Sequence, residues 1–159
     1  MRRSIQILKL LLVLAAIAFI WGNSMMSAEL STRESEWFLK LVRPAVTATG
    51  LYFRRVGGSA EPSVLVRKLA HFSEYAVLGV LMYLLFSTPQ RRSRGVLPAA
   101  ACLGTAGVDE FLQRFAEDRA PALRDVGIDF AGSCLGILAA AAILALLYHA
   151  VRKRREKNA

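Results

Sequence analysis

The sequence predicts an all-α fold, a polytopic membrane helical bundle with four transmembrane helices. Three observations predict it. Of 159 residues, 55% are apolar, which is high for a soluble domain. The apolar residues gather into long blocks, several of them near the roughly 20 residues that a helix needs to cross the hydrocarbon core. Arginine and lysine stand beside those blocks rather than along one soluble face. In lipid the backbone must satisfy its own hydrogen bonds, so such blocks become helices.

The whole chain, 1–159, reads as a single membrane domain. The first span covers about 5–22, flanked or entered by Arg2, Arg3 and Lys9. A basic start followed by an apolar stretch also describes a secretory signal. The residues before any cut, with Met26 and Ala28 as the best pair, make a poor cleavage site, so a retained helix is preferred. The second span covers about 69–88 and is apolar except near its start, where His71, Ser73 and Glu74 intrude. Pro89 and the cluster Arg91, Arg92 and Arg94 end it. The third, about 95–115, begins with small residues and carries Asp109, Glu110 and Gln113 near its end. The fourth, about 125–150, is closed by Arg152, Lys153, Arg154, Arg155 and Lys157.

Between the first two spans lies an extracytoplasmic loop of about 23–68. In it Trp37, Leu41, Ala45, Ala48 and Tyr52 recur near helical spacing. Two readings stand for this piece: a helix lying in the membrane interface, and a packed loop helix with no lipid role. Pro44 kinks or breaks any helix there.

Orientation follows from the positive residues. The N-terminus, the link between the second and third spans, and the C-terminal tail are dense in arginine and share one side of a four-span chain. The rule places them, and both termini, in the cytoplasm of a multi-pass plasma-membrane protein. The formal charge of +9 would suit nucleic acid, but its placement beside apolar blocks excludes that partner in favour of the lipid bilayer. Cys102 and Cys134 lie within apolar blocks and read as packing residues.

The polar residues inside the spans carry the most information. An ionisable group at mid-bilayer costs roughly 2.5–3.5 kcal/mol on insertion scales, so a pairing or functional role is the default expectation. The topology sends all of them to one depth. His71 and Glu74 lie near the outer end of the second span, Asp109, Glu110 and Gln113 near the outer end of the third, and Asp125 and Asp129 at the outer start of the fourth. Spacing groups them further: Lys68, His71 and Tyr75 follow i, i+3, i+7, while Asp109 and Gln113, and Asp125 and Asp129, are four apart. With those faces turned inward they would form one polar pocket open to the cell exterior, with Arg119 and Arg124 at its mouth. Gly132 and Gly136 make a small-x-x-x-small pattern, read as helix packing beside the polar residues.

These residues carry a resemblance. Arg67-Lys68-Leu69-Ala70-His71-Phe72, Glu74-Tyr75, Leu78-Gly79, Asp109-Glu110, Gln113, Phe115, Arg119, Asp125-Val126, Asp129 and Gly132 resemble, in order and spacing, the VanZ-like family. The match runs from about Arg67 to Gly136. The ordered set on successive helices is what makes it specific. The chain departs from the family pattern at Glu117-Asp118, where Pro-Gly is common, and at Asp129, where Asn is common. The resemblance implies a small bacterial membrane protein of the cell envelope. The family's namesake is linked to resistance to the glycopeptide antibiotic teicoplanin.

The leading functional expectation is an envelope protein whose polar cluster (Lys68, His71, Glu74, Asp109, Glu110, Gln113, Arg119, Asp125 and Asp129) recognises an envelope lipid or lipoglycopeptide. A purely structural interhelical network is the bland alternative. A third reading is an enzyme acting on a lipid-linked or phosphate-bearing substrate, with His71 as general acid or base, carboxylates around a divalent cation and Arg119 on phosphate. The chain has no glycine-rich phosphate loop, nucleophile elbow or histidine-rich metal motif, so catalysis ranks low and neither a cofactor nor a metal centre is expected. A proton relay would need polar groups continuing to the cytoplasmic side, and the inner halves of the spans are almost purely apolar.

Overall fold

The computed structural model describes residues 2–25, 37, 40, 62–87, 95–115 and 123–158. The described residues are helical with no strand: α1 spans Arg2–Ser24, α2 Pro62–Phe86, α3 Val96–Gln113 and α4 Leu123–Lys157. The segment expected to be amphipathic lies outside the described residues, apart from Trp37 and Lys40. So do Arg91, Arg92, Arg94 and Arg119.

Three stretches are long and apolar enough to cross a membrane: Arg3–Ser24, Val66–Phe86 and Leu123–Lys157. The third expected span, α3, has 18 residues and is not among them. Its apolar run is broken at Asp109, and Asp109, Glu110 and Gln113 make one side of its last turn and a half polar. Those polar residues point inward, because Asp109, Glu110 and Gln113 are all buried. α3 therefore belongs to the bundle through its neighbours.

The helix ends follow local chemistry. Pro62 opens α2, where a missing N–H costs nothing. Gly95 precedes α3 at φ 78°, a left-handed conformation natural to glycine, and its carbonyl accepts the first helical bond from the Ala99 N–H at 3.0 Å. Asp125 sits in the first turn of α4 and Arg154, Arg155 and Lys157 in its last, each matched to the helix dipole. The last turn of α2 holds no basic residue of its own. Lys9 of α1 supplies one, donating from Nζ to the Leu84 carbonyl at 2.8 Å. A lysine inside an apolar span is thereby given a partner.

The helices alternate in direction. Lys9 meets Leu84 while Asn23 meets Glu74, so α1 and α2 are antiparallel. Phe72 faces Gly132 and Ala76 faces Gly136, so α2 and α4 run parallel. Gly95 lies beside Ile137 at the far end from the Asp109–Asp129 pair, so α3 runs against α4. One buried cluster joins Val13 and Ile20 of α1, Tyr75, Leu78 and Met82 of α2, and Cys102 and Ala106 of α3. A second joins Tyr83 to Ile137 and Ala140. The outer surface is apolar: Leu8, Leu11, Phe19, Leu138, Ile143 and Leu146 are among its exposed side chains. In water such a surface would be a liability; in lipid it is the solvated face.

The tightest contact is α2 against α4. A Cβ on Gly132 would stand 2.2 Å from the Phe72 carbonyl oxygen, one on Gly136 1.9 Å from that of Ala76, and one on Gly79 2.2 Å from that of Ser133. Backbone meets backbone, which is how small residues associate helices where the solvent is as apolar as the side chains.

Gly136→Ala should therefore lower stability by about 1–3 kcal/mol, the usual cost of overpacking. Gly104→Ala, with nothing within 4 Å of the new methyl, should be neutral or gain up to about 1 kcal/mol from helix propensity. Thermal unfolding of the two variants in detergent checks the pair.

Candidate functional site

Each helix brings polar groups to the same end of the bundle. α1 brings Asn23 and Ser24 in its last turn, and α2 brings Lys68, His71, Glu74 and Tyr75 from its first half. α3 brings Asp109, Glu110 and Gln113 from its C-terminal end, and α4 brings Asp125 and Asp129 from its first two turns.

At the rim, Lys68 Nζ pairs with Asp125 Oδ1 between α2 and α4. These side chains keep 27% and 35% of their surface, so the pair marks the wetter edge of the cluster. Asn23 donates from Nδ2 to Glu74 Oε1 at 3.0 Å, tying α1 to α2. Trp21 reaches across to the Thr105 carbonyl at 3.4 Å, a weaker tie between α1 and α3.

Deeper lie Asp109, fully buried, and Asp129, 3% exposed. His71 joins them: one ligand atom from each of His71, Asp109 and Asp129 lies within 4.8 Å of the other two. Gln113 Nε2 approaches Asp109 Oδ2 at 3.5 Å, one turn along α3. Glu74, Glu110 and Asp125 are within electrostatic reach of Asp129, as is Asp109. Tyr75 is fully buried, and its hydroxyl has no hydrogen-bond partner among the described residues. Asp109, Asp129, Cys102 and Glu74 are within electrostatic reach of it.

The charges here are expensive. Two carboxylates about 5 Å apart repel by about 3 kcal/mol at an effective dielectric of 20 if both are ionised. A cluster of this kind is kept only where protons, a histidinium, a lysine or a bound cation offsets the repulsion. The neighbouring hydroxyls are less demanding. Ser73, Thr105 and Ser133 bond back to carbonyls one turn earlier in their own helices, the usual way to satisfy a hydroxyl within a span.

The structure thus brings His71, Asp109 and Asp129 together, sets Glu74, Glu110 and Gln113 around them, and leaves Lys68 and Asp125 at the rim. Where the spacing suggested an open pocket, Asp109, Glu110, Gln113 and Asp129 are buried and His71 and Glu74 half-buried. Arg119 lies outside the described residues, and Arg124 is exposed. Gly132 and Gly136 lie one and two turns below Asp129, against α2. Sequence reasoning missed Asn23 and Trp21. A polar amide in the last turn of an apolar span is the signal that would have found Asn23.

Breaking the rim pair tests its place in the bundle. Lys68→Met and Asp125→Asn should each destabilise the protein, and the double variant should lose less than the sum, with a coupling of about 0.5–3 kcal/mol. Equilibrium unfolding of the four proteins of that cycle measures it; strict additivity would mean that the pair contributes nothing.

No curated protein and no solved structure matches the chain. The family model described as VanZ/LLP1 matches residues 9–147, which runs from Lys9 within α1 through α2 and α3 to Leu147 within α4. The chain is therefore a member of the VanZ-like family, a membrane protein whose apolar helices carry a buried polar cluster at one end.

Proposed function

We propose that this protein sits in the bacterial plasma membrane with both termini in the cytoplasm, and that its polar end faces outward and binds the headgroup of an envelope lipid or lipoglycopeptide. One observation carries the reading: four helices converge polar side chains at one end of a bundle whose remaining surface is apolar. Intramembrane ionisable residues gathered in this way are a site by default. The orientation rests on the basic C-terminal turns of α4, which lie at the opposite end from the cluster. A role in susceptibility to glycopeptide antibiotics follows from the family's namesake and is part of the proposal.

A second reading has its own support. The Lys68–Asp125 pair and the Asn23–Glu74 hydrogen bond join helices directly, as a purely structural network would.

Glu110→Gln separates the two. It keeps the shape of the side chain and removes its charge. Under the binding reading, abundance in the membrane stays normal while lipid retained through detergent purification, read by native mass spectrometry, falls. Under the structural reading abundance itself falls, because neutralising one member of a buried charge network leaves its cationic partner uncompensated. Normal abundance with unchanged lipid retention would sink both. Orientation is checked separately in a background with Cys102 and Cys134 replaced by Ala. Leu123→Cys, at the exposed start of α4, should react with an impermeant thiol reagent on intact cells, and Asn158→Cys should not.

A further inference from the structure

The headgroup reading leaves a chemical difficulty. The envelope lipids most in need of recognition carry phosphate, and the buried part of this cluster is rich in carboxylate. Anion does not bind anion without a mediator. The geometry of three residues supplies one.

We propose that His71, Asp109 and Asp129 form a divalent-metal site, taking one ligand from each of α2, α3 and α4, for an ion of the manganese or zinc class. The ligand set is mixed. An imidazole nitrogen favours transition ions, carboxylate oxygens suit manganese and zinc, and one nitrogen with two oxygens selects against the all-oxygen preference of magnesium and calcium. The distances fit. Around an ion at roughly 2.0–2.2 Å from each ligand, tetrahedral neighbours stand about 3.4 Å apart. Ligand atoms already within 4.8 Å of one another have to close by no more than about 1.4 Å to reach that spacing.

A second observation, on a residue that is not acidic, points the same way. Tyr75 is fully buried on α2, one turn below His71. Its hydroxyl has no hydrogen-bond partner among the described residues, although Asp109 and Asp129 are within electrostatic reach. A buried phenol within electrostatic reach of two carboxylates, and bonded to neither, is accounted for by a ligand or an ion-bound water lying among them. Asn23, Glu74 and Gln113 form the surrounding shell: Glu74 is held by Asn23 at 3.0 Å, and Gln113 lies 3.5 Å from Asp109. Outer groups of this kind fix the orientation of first ligands.

Three protein ligands leave coordination positions open. In the part of the inference that rests on the headgroup reading, those positions accept phosphate oxygens, and the ion joins an anionic headgroup to an acidic site. The site's helices also explain why spacing alone did not reveal it. No two ligands share a helix, so no i, i+3 or i, i+4 pattern of metal ligands exists in the sequence.

The test uses full-length, tag-free protein in detergent, stripped with EDTA, re-equilibrated with Mn²⁺ and then desalted. Manganese is chosen because thiols bind it poorly, so Cys102 and Cys134 do not compete. Wild-type protein should retain one equivalent of manganese by elemental analysis, and pulsed EPR of that ion should show coupling to an imidazole nitrogen. Asp109→Asn should weaken retention at least about tenfold, since even the loss of an outer partner typically costs about 10–100-fold. His71→Asn should abolish the nitrogen coupling, and Glu156→Gln, in an exposed ion pair on the tail, should change nothing. Should Asp109→Asn fail to fold, the wild-type nitrogen coupling and its loss in His71→Asn still decide. A stripped wild-type protein that takes up neither Mn²⁺ nor Zn²⁺, or an ion without nitrogen coupling, overturns the site. Lipid content of the same samples keeps the two proposals apart. Bound manganese without retained lipid leaves the metal site standing and removes the headgroup reading. Lipid retained by protein that binds no ion does the reverse.

Discussion

Lipid gives apolar helices no hydrophobic reason to associate, so whatever holds them must act at contact range. In this protein that contact is between the backbones of α2 and α4. Gly79, Gly132 and Gly136 remove the side chains that would keep the two helices apart, and carbonyls of Phe72, Ala76 and Ser133 fill the space. The register so set has consequences one turn away. With Phe72 against Gly132, Lys68 falls beside Asp125, and His71 beside Asp129. Any methyl group inserted at the crossing would move each of these pairs. The polar cluster is in this sense a product of the glycine contact.

The remaining two helices complete the cluster by different means. α3 is short, and its polar last turns would be poor company for lipid, yet Asp109, Glu110 and Gln113 are buried against the α2–α4 pair. α1 is apolar around most of its circumference and is fixed at its two ends. Lys9 caps the end of α2, and Asn23 holds Glu74. Both contacts give a polar side chain a partner that lipid would deny it, and both set the depth of α1 relative to α2.

Much of this was legible in the sequence, for physical reasons. Apolar blocks of membrane length must be helices, so the all-α class followed directly. Alternating helix directions then carried His71, Asp109 and Asp129 to one end, because each lies near the appropriate end of its block. The specific partners were not legible. Gly132 and Gly136 announce a close approach without naming the helix approached. Lys9 looks like a flanking charge until the Leu84 carbonyl is seen beside it. Asn23 is a lone amide with no periodicity to mark it, and the grouping of one histidine with two aspartates depends on three rotations about three helix axes that no spacing rule fixes. α3 is the shortest of the four helices, and its polar end, with Asp109, Glu110 and Gln113, is buried against its neighbours.

One further property follows from the length of α4. It begins beside the polar cluster and continues without a proline through Lys157 as a single helix of 35 residues. That is about 52 Å, against a hydrocarbon core of about 30 Å. A rod of this kind acts as a lever. A tilt of roughly 10° at the cluster would carry its far tip, with Arg152, Arg154 and Arg155, about 9 Å sideways if the helix stays straight. A rearrangement too small to notice among carboxylates at one face of the membrane would be amplified into a displacement of positive charge beyond the other.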